Sequence, residues 1–101
     1  MSPQETTYYS VLREHGENWN ANLPLRQQEQ WKEHAAFMNA LAEEGFVVLG
    51  GPLGNGEKVL LIIAAENEQA IADQLAQDPW DLSGMLRITK IERWEILLRA
   101  R

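Results

Sequence analysis

Residues 31–52 read Trp-Lys-Glu-His-Ala-Ala-Phe-Met-Asn-Ala-Leu-Ala-Glu-Glu-Gly-Phe-Val-Val-Leu-Gly-Gly-Pro, and the pattern changes from helical to extended along the way. The first part carries apolar side chains at three- and four-residue intervals, which is the spacing of one helix face. These residues are Trp31, Ala35, Met38, Leu41 and Ala42. Gly45 is typical of a helix end. Phe46 to Leu49 are apolar at consecutive positions, which predicts a short strand that is buried on both faces and ends at Gly50-Gly51-Pro52.

His34 lies inside the apolar face of this predicted helix, where a polar residue is least expected. One interpretation is a neutral histidine at the edge of the core, hydrogen-bonded to a backbone carbonyl. The other is a histidine that lines a pocket between helix and sheet, because an imidazole can accept and return a proton near neutral pH. The sequence alone leaves both open.

The rest of the chain adds three strands and one helix. Residues 6–13 are rich in β-branched and aromatic types and predict the first strand. Val59 to Ala65 form another, joined to the strand before it by a hairpin turn at Asn55-Gly56. Asn67 is a possible cap for the second helix, which Pro79 ends. Along residues 86–98 the apolar alternation changes phase near Ile91, which predicts a bulge or two short segments.

Two more predictions concern the region before the first helix. Pro24 fits a first helical turn, with Asn22 as a possible cap, so the helix is predicted over 24–44. His15 follows the first strand in a polar stretch and is interpreted as a solvated loop residue. Trp19 either covers the mouth of a pocket or holds the loop in place.

The resulting order, β-α-β-β-α-β, predicts a ferredoxin-like α+β fold, with an antiparallel sheet and two helices on one face. A chain of 101 residues has room for one such domain, residues 1–101. The second and third strands are apolar on both faces, but two helices cover only one. Since monomers rarely expose a large apolar patch, we expect a homodimer that packs through the sheet face.

Composition and motifs exclude several classes of function. The net charge of -6 argues against a nucleic-acid partner, and the absence of cysteine excludes thiolate chemistry. No signal peptide or membrane-spanning run is present, so we expect a cytoplasmic protein with no membrane partner. The glycine-rich residues 51–58 lack the Gly-Lys-Ser/Thr ending of a phosphate loop. Two histidines without a ligand spacing predict no metal, and no cofactor is expected.

Asp78 allows two interpretations as well. Followed by Pro79, it has the pattern of a helix N-cap and first turn. Alternatively its carboxylate lies beside His34 and fixes the tautomer of the imidazole. Around this pair we predict a pocket for a small, partly apolar organic ligand, although packing explains most of the same side chains equally well. Its predicted lining is Trp31, Met38, Gly51, Pro52, Trp80 and Met85.

With these residues considered together, the chain resembles the YCII-related (YciI-like) family over nearly its whole length. The resemblance rests on His34 with Leu41 and Gly45, on Gly51-Pro52, on Asp78-Pro79-Trp80 and on Trp94-Glu-Ile-Leu-Leu98. It implies a dimeric α+β barrel and an active-site His/Asp pair at His34 and Asp78. Trp31 stands where many members have an arginine, which implies a more apolar site here.

Two functions follow as expectations. The first is a cofactor-free proton-transfer enzyme, an isomerase or a lyase of the dehydrochlorinase kind, acting on a small cyclic compound. His34 would be the general acid or base and Asp78 its orienting partner. The alternative is a non-catalytic dimeric module that binds a small hydrophobic molecule.

Overall fold

The structure, a computed structural model, describes residues 6–100. The elements are β1 (Tyr8–His15), α1 (Trp31–Glu43), β2 (Val47–Leu53), β3 (Lys58–Ala64), α2 (Glu68–Leu75), α3 (Pro79–Leu82) and β4 (Leu86–Trp94), with a 3-10 turn at Leu25–Gln27 before α1. The four strands form one antiparallel sheet in the order β2-β3-β1-β4. This α+β architecture is compatible with the predicted ferredoxin-like fold.

The main core lies between the sheet and the two longer helices. Tyr9 and Val11 of β1 pair with Ile63 and Leu61 of β3, and all four side chains are buried on the same face. The helices contribute buried Leu41, Ile71 and Leu75 to this cluster. Asn67 caps α2 as predicted, since its side chain accepts a hydrogen bond of 2.8 Å from the Ala70 amide.

The start of α1 differs from the prediction. The helix begins at Trp31, and Gln30 before it has a left-handed backbone with a φ of 62°. Pro24 instead precedes the short 3-10 turn, and neither that turn nor α1 has a side-chain cap. The backbone N–H of Asn22 donates to the side-chain Oδ1 of Asn20. The physical reason is the buried side chain of Gln28, which donates to the carbonyl oxygens of Asn20 and Leu23. Those bonds hold the chain in a loop where periodicity alone predicts a helix.

The end of α1 is as predicted. Gly45 has a φ of 84°, a left-handed conformation that suits glycine. The Phe46 amide donates to the Leu41 carbonyl and the Gly45 amide to the Ala42 carbonyl, at 3.0 and 3.1 Å. This pair of bonds is a Schellman motif, and it satisfies the last free carbonyls of the helix.

β2 is longer than predicted, because it continues through Gly50-Gly51-Pro52 to Leu53. A proline is tolerated there because β2 is an edge strand, where one side needs no ladder partner. The β2–β3 hairpin is present as predicted, but its positive φ angles fall on Gly54 and Gly56 instead of on Asn55.

β4 contains the predicted bulge at a slightly different place. Leu12 pairs with Lys90 and Arg13 pairs with Ile88, so Thr89 is the extra residue, two positions before Ile91. The strand ends at Trp94, and the predicted continuation through Ile96 and Leu98 is wrong. Leu98 lies outside the sheet with 91% of its surface exposed, so it has no neighbouring strand to alternate against.

The second face of the sheet also carries apolar side chains. Cross-strand pairing places Leu49 and Ile62 on it, with Leu12 and Leu60 one row further along. Leu49 is 66% exposed and Trp94 is 43% exposed. Across residues 6–100, no helix is both long and apolar enough to cross a bilayer.

Candidate active site

Asp78 occupies the N-cap of α3 and contacts His34 at the same time. Its Oδ1 accepts the Trp80 amide at 2.9 Å, which is the predicted capping role. Both carboxylate oxygens also lie 2.9 Å from Nδ1 of His34 on α1. The structure therefore brings the two candidate residues into contact across 44 positions of sequence, with Asp78 fully buried.

Arg13 of β1 is the third charged or titratable group in contact with this pair. Its Nη1 donates to Oδ2 of Asp78 at 2.8 Å, and only 1% of its surface is exposed. Its Nη2 lies 3.9 Å from Oδ1 of Asp81, too far for a hydrogen bond. Within residues 6–100, Nε and Nη2 of Arg13 are buried without a hydrogen-bond partner.

The surroundings of Asp78 favour its ionised form. Burial by itself would raise the pKa of this carboxyl, because charge is poorly solvated inside the protein. The His34 hydrogen bond and charge, the Trp80 amide and the Arg13 charge outweigh burial and lower the pKa of Asp78 below its ordinary value. An ionised carboxylate can only accept, so this contact suits an imidazole that carries its hydrogen on Nδ1.

The imidazole of His34 is held flat against an aromatic ring. Trp80 stacks on it with a centroid distance of 3.9 Å and an angle of 8° between the planes. The indole N–H of Trp80 donates to the Glu29 carbonyl at 2.7 Å, which fixes that ring in turn. In the described part of the chain, Nε2 of His34 makes no hydrogen bond and is not among the buried unpaired atoms. It is therefore free to meet a ligand.

His34 borders a cavity of about 280 Å³ between α1, the β2–β3 hairpin and the loop after β1. Five of the six predicted pocket residues line it: Trp31, Met38, Gly51, Pro52 and Trp80. Met85 is not part of this lining. It is 5% exposed and packs with Trp80 and Leu86 in a second, smaller core cluster.

His15 is not the solvated loop residue that the sequence indicates. It is the last residue of β1, lines the cavity and stacks on Trp19 with a centroid distance of 3.8 Å. Burial lowers the pKa of His15, although the Gly56 backbone and the charge of Glu57 oppose that effect. Trp19 lines the cavity and packs edge-on against Trp80 at 5.3 Å, a contact that fits the predicted role of holding the loop in place.

The alternation of residues along β1 could have identified Arg13 and His15 as site residues. Arg13 and His15 are in phase with Tyr9 and Val11, which face the helices. A charged and a titratable residue on the buried face of a strand are unusual enough to indicate a site.

Fold and site together define a small α+β protein with a buried His–Asp–Arg cluster beside an apolar cavity. Within residues 6–100, no group of three or more His, Asp or Glu side chains could hold a metal ion. A scan of protein-family models finds no family that matches this chain. A search of curated proteins finds no match either, so the resemblance to the YCII-related family stays a prediction.

Proposed function

We propose that this protein catalyses proton transfer, as in isomerisation or elimination, on a small cyclic organic compound. One observation carries the proposal: Nδ1 of His34 lies 2.9 Å from both oxygens of buried Asp78, while Nε2 makes no hydrogen bond within residues 6–100 and His34 lines the cavity. A base that is oriented by a carboxylate and open to a ligand is the arrangement that general acid–base catalysis requires.

The proton balance of the reaction follows from this arrangement. Nε2 takes a proton from a carbon of the substrate, and the imidazolium that forms is stabilised by the Asp78 carboxylate. In an isomerisation His34 returns a proton to a different atom of the substrate, and exchange of the Nε2 proton with solvent before that step would place a solvent hydrogen in the product. In an elimination it stays on His34 while the electron pair expels a leaving group, and it is later lost to solvent. Proton transfer of this kind typically contributes about 10²–10⁴-fold to a rate.

The cavity supports a ligand that is small and mostly apolar. Its volume of about 280 Å³ is just below the usual range of about 300–1,000 Å³ for ligand pockets. Trp31, Trp80 and Met38 give it aromatic and thioether walls, which suit a flat ring. Gly51 contributes no side chain, so the ligand can approach the β2 backbone closely.

The second candidate function is a non-catalytic module that binds a small hydrophobic molecule. The observation in its favour is the same lining, which is mostly apolar and whose polar side chains other than tryptophan are Arg13, His15, His34 and Asn39. Under this alternative Asp78 and His34 would only shape the pocket.

We also propose that two copies of the chain pack through the second face of the sheet. Support comes from Leu49, Leu53 and Trp94, which are 66%, 41% and 43% exposed on strands of this sheet. A patch of this kind is unusual on a monomer. Membership of the YCII-related family, with its dimeric α+β barrel, is part of the same proposal.

The direct test follows hydrogen exchange by NMR in heavy water, using small cyclic ketones, lactones and chlorinated cyclic compounds as probes. The protein should introduce deuterium into a probe, or eliminate chloride from it, and His34→Ala should slow this at least about 100-fold. Glu33→Ala, one residue earlier on the exposed side of α1, is the matched control and should leave the rate unchanged. Equal rates for His34→Ala and the parent protein would reject the assignment. Binding of a probe without chemical change would favour the second candidate.

A further inference from the structure

Arg13 is a buried cation that the proposed reaction does not use. Arginine is rarely buried, and a buried ion pair is often no more stable than apolar side chains of similar volume. Yet Arg13 is 1% exposed and its partner Asp78 is 0% exposed. Stability alone therefore does not account for this residue, and its geometry indicates another role.

The contacts of Asp78 show what that role is. Oδ1 accepts from the Trp80 amide and Oδ2 accepts from Arg13, so the carboxylate is held from both ends. Held in this way, both oxygens also lie 2.9 Å from Nδ1 of His34. While His34 is neutral, Arg13 is the charged group that contacts this carboxylate, and a buried carboxyl without a nearby cation tends to take up a proton, since its charge is poorly solvated. A protonated Asp78 could then donate to Nδ1 and leave the hydrogen of the ring on Nε2.

The backbone supports the same interpretation independently. The bulge in β4 is opposite Leu12 and Arg13, where Thr89 is the extra residue. Bulges of this kind occur next to active sites, because they change the direction in which a neighbouring side chain points. Here the irregularity occurs at the one β1 residue that reaches the His34–Asp78 pair.

We propose that Arg13 is a positioning residue of the proposed active site: it keeps Asp78 an acceptor, so that the neutral ring of His34 carries its hydrogen on Nδ1 and presents a bare Nε2 to the cavity. The inference rests on the proposed function, but it concerns the state of the ring and not the reaction. Arg13 acts through Asp78 and makes no hydrogen bond to His34.

Asp81 fits the same scheme. With Arg13 positive, Asp78 negative and His34 neutral, the cluster has no net charge. It becomes positive when Nε2 takes a proton. The carboxylate of Asp81, 3.9 Å from Nη2 of Arg13 and 29% exposed, is near enough to compensate part of that charge.

The test is nitrogen NMR of the His34 ring at a pH where the imidazole is neutral. In the parent protein, Nδ1 should give the signal of a protonated nitrogen and Nε2 that of a bare one. Arg13→Gln removes the charge and keeps an amide donor on a shorter side chain, and the ratio of the two tautomers should fall about tenfold. Arg87→Gln, an exposed arginine on β4, is the matched control and should leave the ratio unchanged.

Two outcomes overturn the inference: a folded Arg13→Gln protein with the parent ratio, or a parent protein whose His34 hydrogen is on Nε2. If Arg13→Gln does not fold, Arg13→Lys is measured instead, because its ammonium group restores the positive charge beside Asp78. Nδ1 protonation in the lysine variant supports the inference, and its loss there contradicts it. None of these readings depends on turnover, so His34→Ala remains a separate test of the proposed function.

Discussion

At the scale of single residues, Asp78 combines two roles that the sequence presents as alternatives. The same carboxylate caps α3 through Trp80 and contacts His34 and Arg13. Capping fixes the carboxylate relative to the backbone, and a fixed carboxylate can orient an imidazole. The capping role is thus compatible with the proposed role of orienting His34.

The pH dependence of stability should report on Asp78. Its pKa in the folded protein is below the ordinary value, so the ionised form stabilises the fold. That stabilisation is fully present above the ordinary aspartate value of about 3.9 and is lost as pH falls through the lower folded-state pKa. The groups that face the carboxylate are Arg13 and His34, with Asp81 near the guanidinium.

Urea denaturation at a series of pH values is the measurement. Asp78→Asn should lower the free energy of unfolding at neutral pH by about 3–5 kcal/mol, because it leaves Arg13 buried without its counter-charge. The free energy of unfolding of the variant should also decrease less than that of the parent protein as the pH is lowered. Asp73→Asn changes an exposed aspartate on α2 and is the matched control. An identical pH profile for Asp78→Asn and the parent would contradict this prediction.

Residue-scale prediction from sequence was partial for a physical reason. His34 is identifiable because a polar side chain interrupts an apolar helix face, and Asp78 because it precedes proline. Their contact is not identifiable, since it depends on the packing of α1 against α3. Arg13 is harder still, because burial of a charge depends on a partner 65 residues away.

At the scale of elements, the two ends of α1 differ in how far sequence determines them. The C-terminal end depends on a local rule, a glycine in a left-handed conformation, and the prediction is confirmed. The N-terminal end depends on the buried amide of Gln28, which bonds to a loop that precedes it. Similarly, the change of phase in β4 predicts a bulge, but only pairing with β1 assigns it to Thr89.

Gly45→Ala should therefore destabilise the protein through backbone strain alone. A β-carbon at this position meets no atom within 4 Å, so no steric clash contributes. The φ of 84° is unfavourable for alanine, and we expect a loss of about 1–2 kcal/mol in the free energy of unfolding. Gly51→Ala is the control, because its β-carbon also meets open space but its φ is not positive. Equal losses for the two variants would show that the left-handed cap is not the cause.

At the scale of the whole molecule, the fold class could be predicted because strand and helix order follow from periodicity. The apolar second face of the sheet was also visible in the sequence, as consecutive apolar residues in the second and third strands. What occupies that face depends on a surface built from several strands, which no local pattern describes.

Light scattering at micromolar concentration tests the proposed dimer. The expected mass is twice that of the 11.5 kDa chain. Leu49→Lys places a charge on the exposed second face and should shift the mass toward that of one chain. Leu82→Lys, at a leucine of α3 that is 75% exposed, is the control and should not change it. A single-chain mass for the parent protein would reject the dimer.

The proline in β2 has a consequence for how copies of this chain could associate. An edge strand is a template on which another strand can add, and repeated addition produces filaments without a natural end. Pro52 has no amide hydrogen, so the outer edge of β2 cannot offer a complete row of donors to an incoming strand. In the proposed contact between sheet faces, each copy buries its second face against the other, so no such face is left for a third copy. The proline therefore disfavours the addition of further strands at the β2 edge of the sheet.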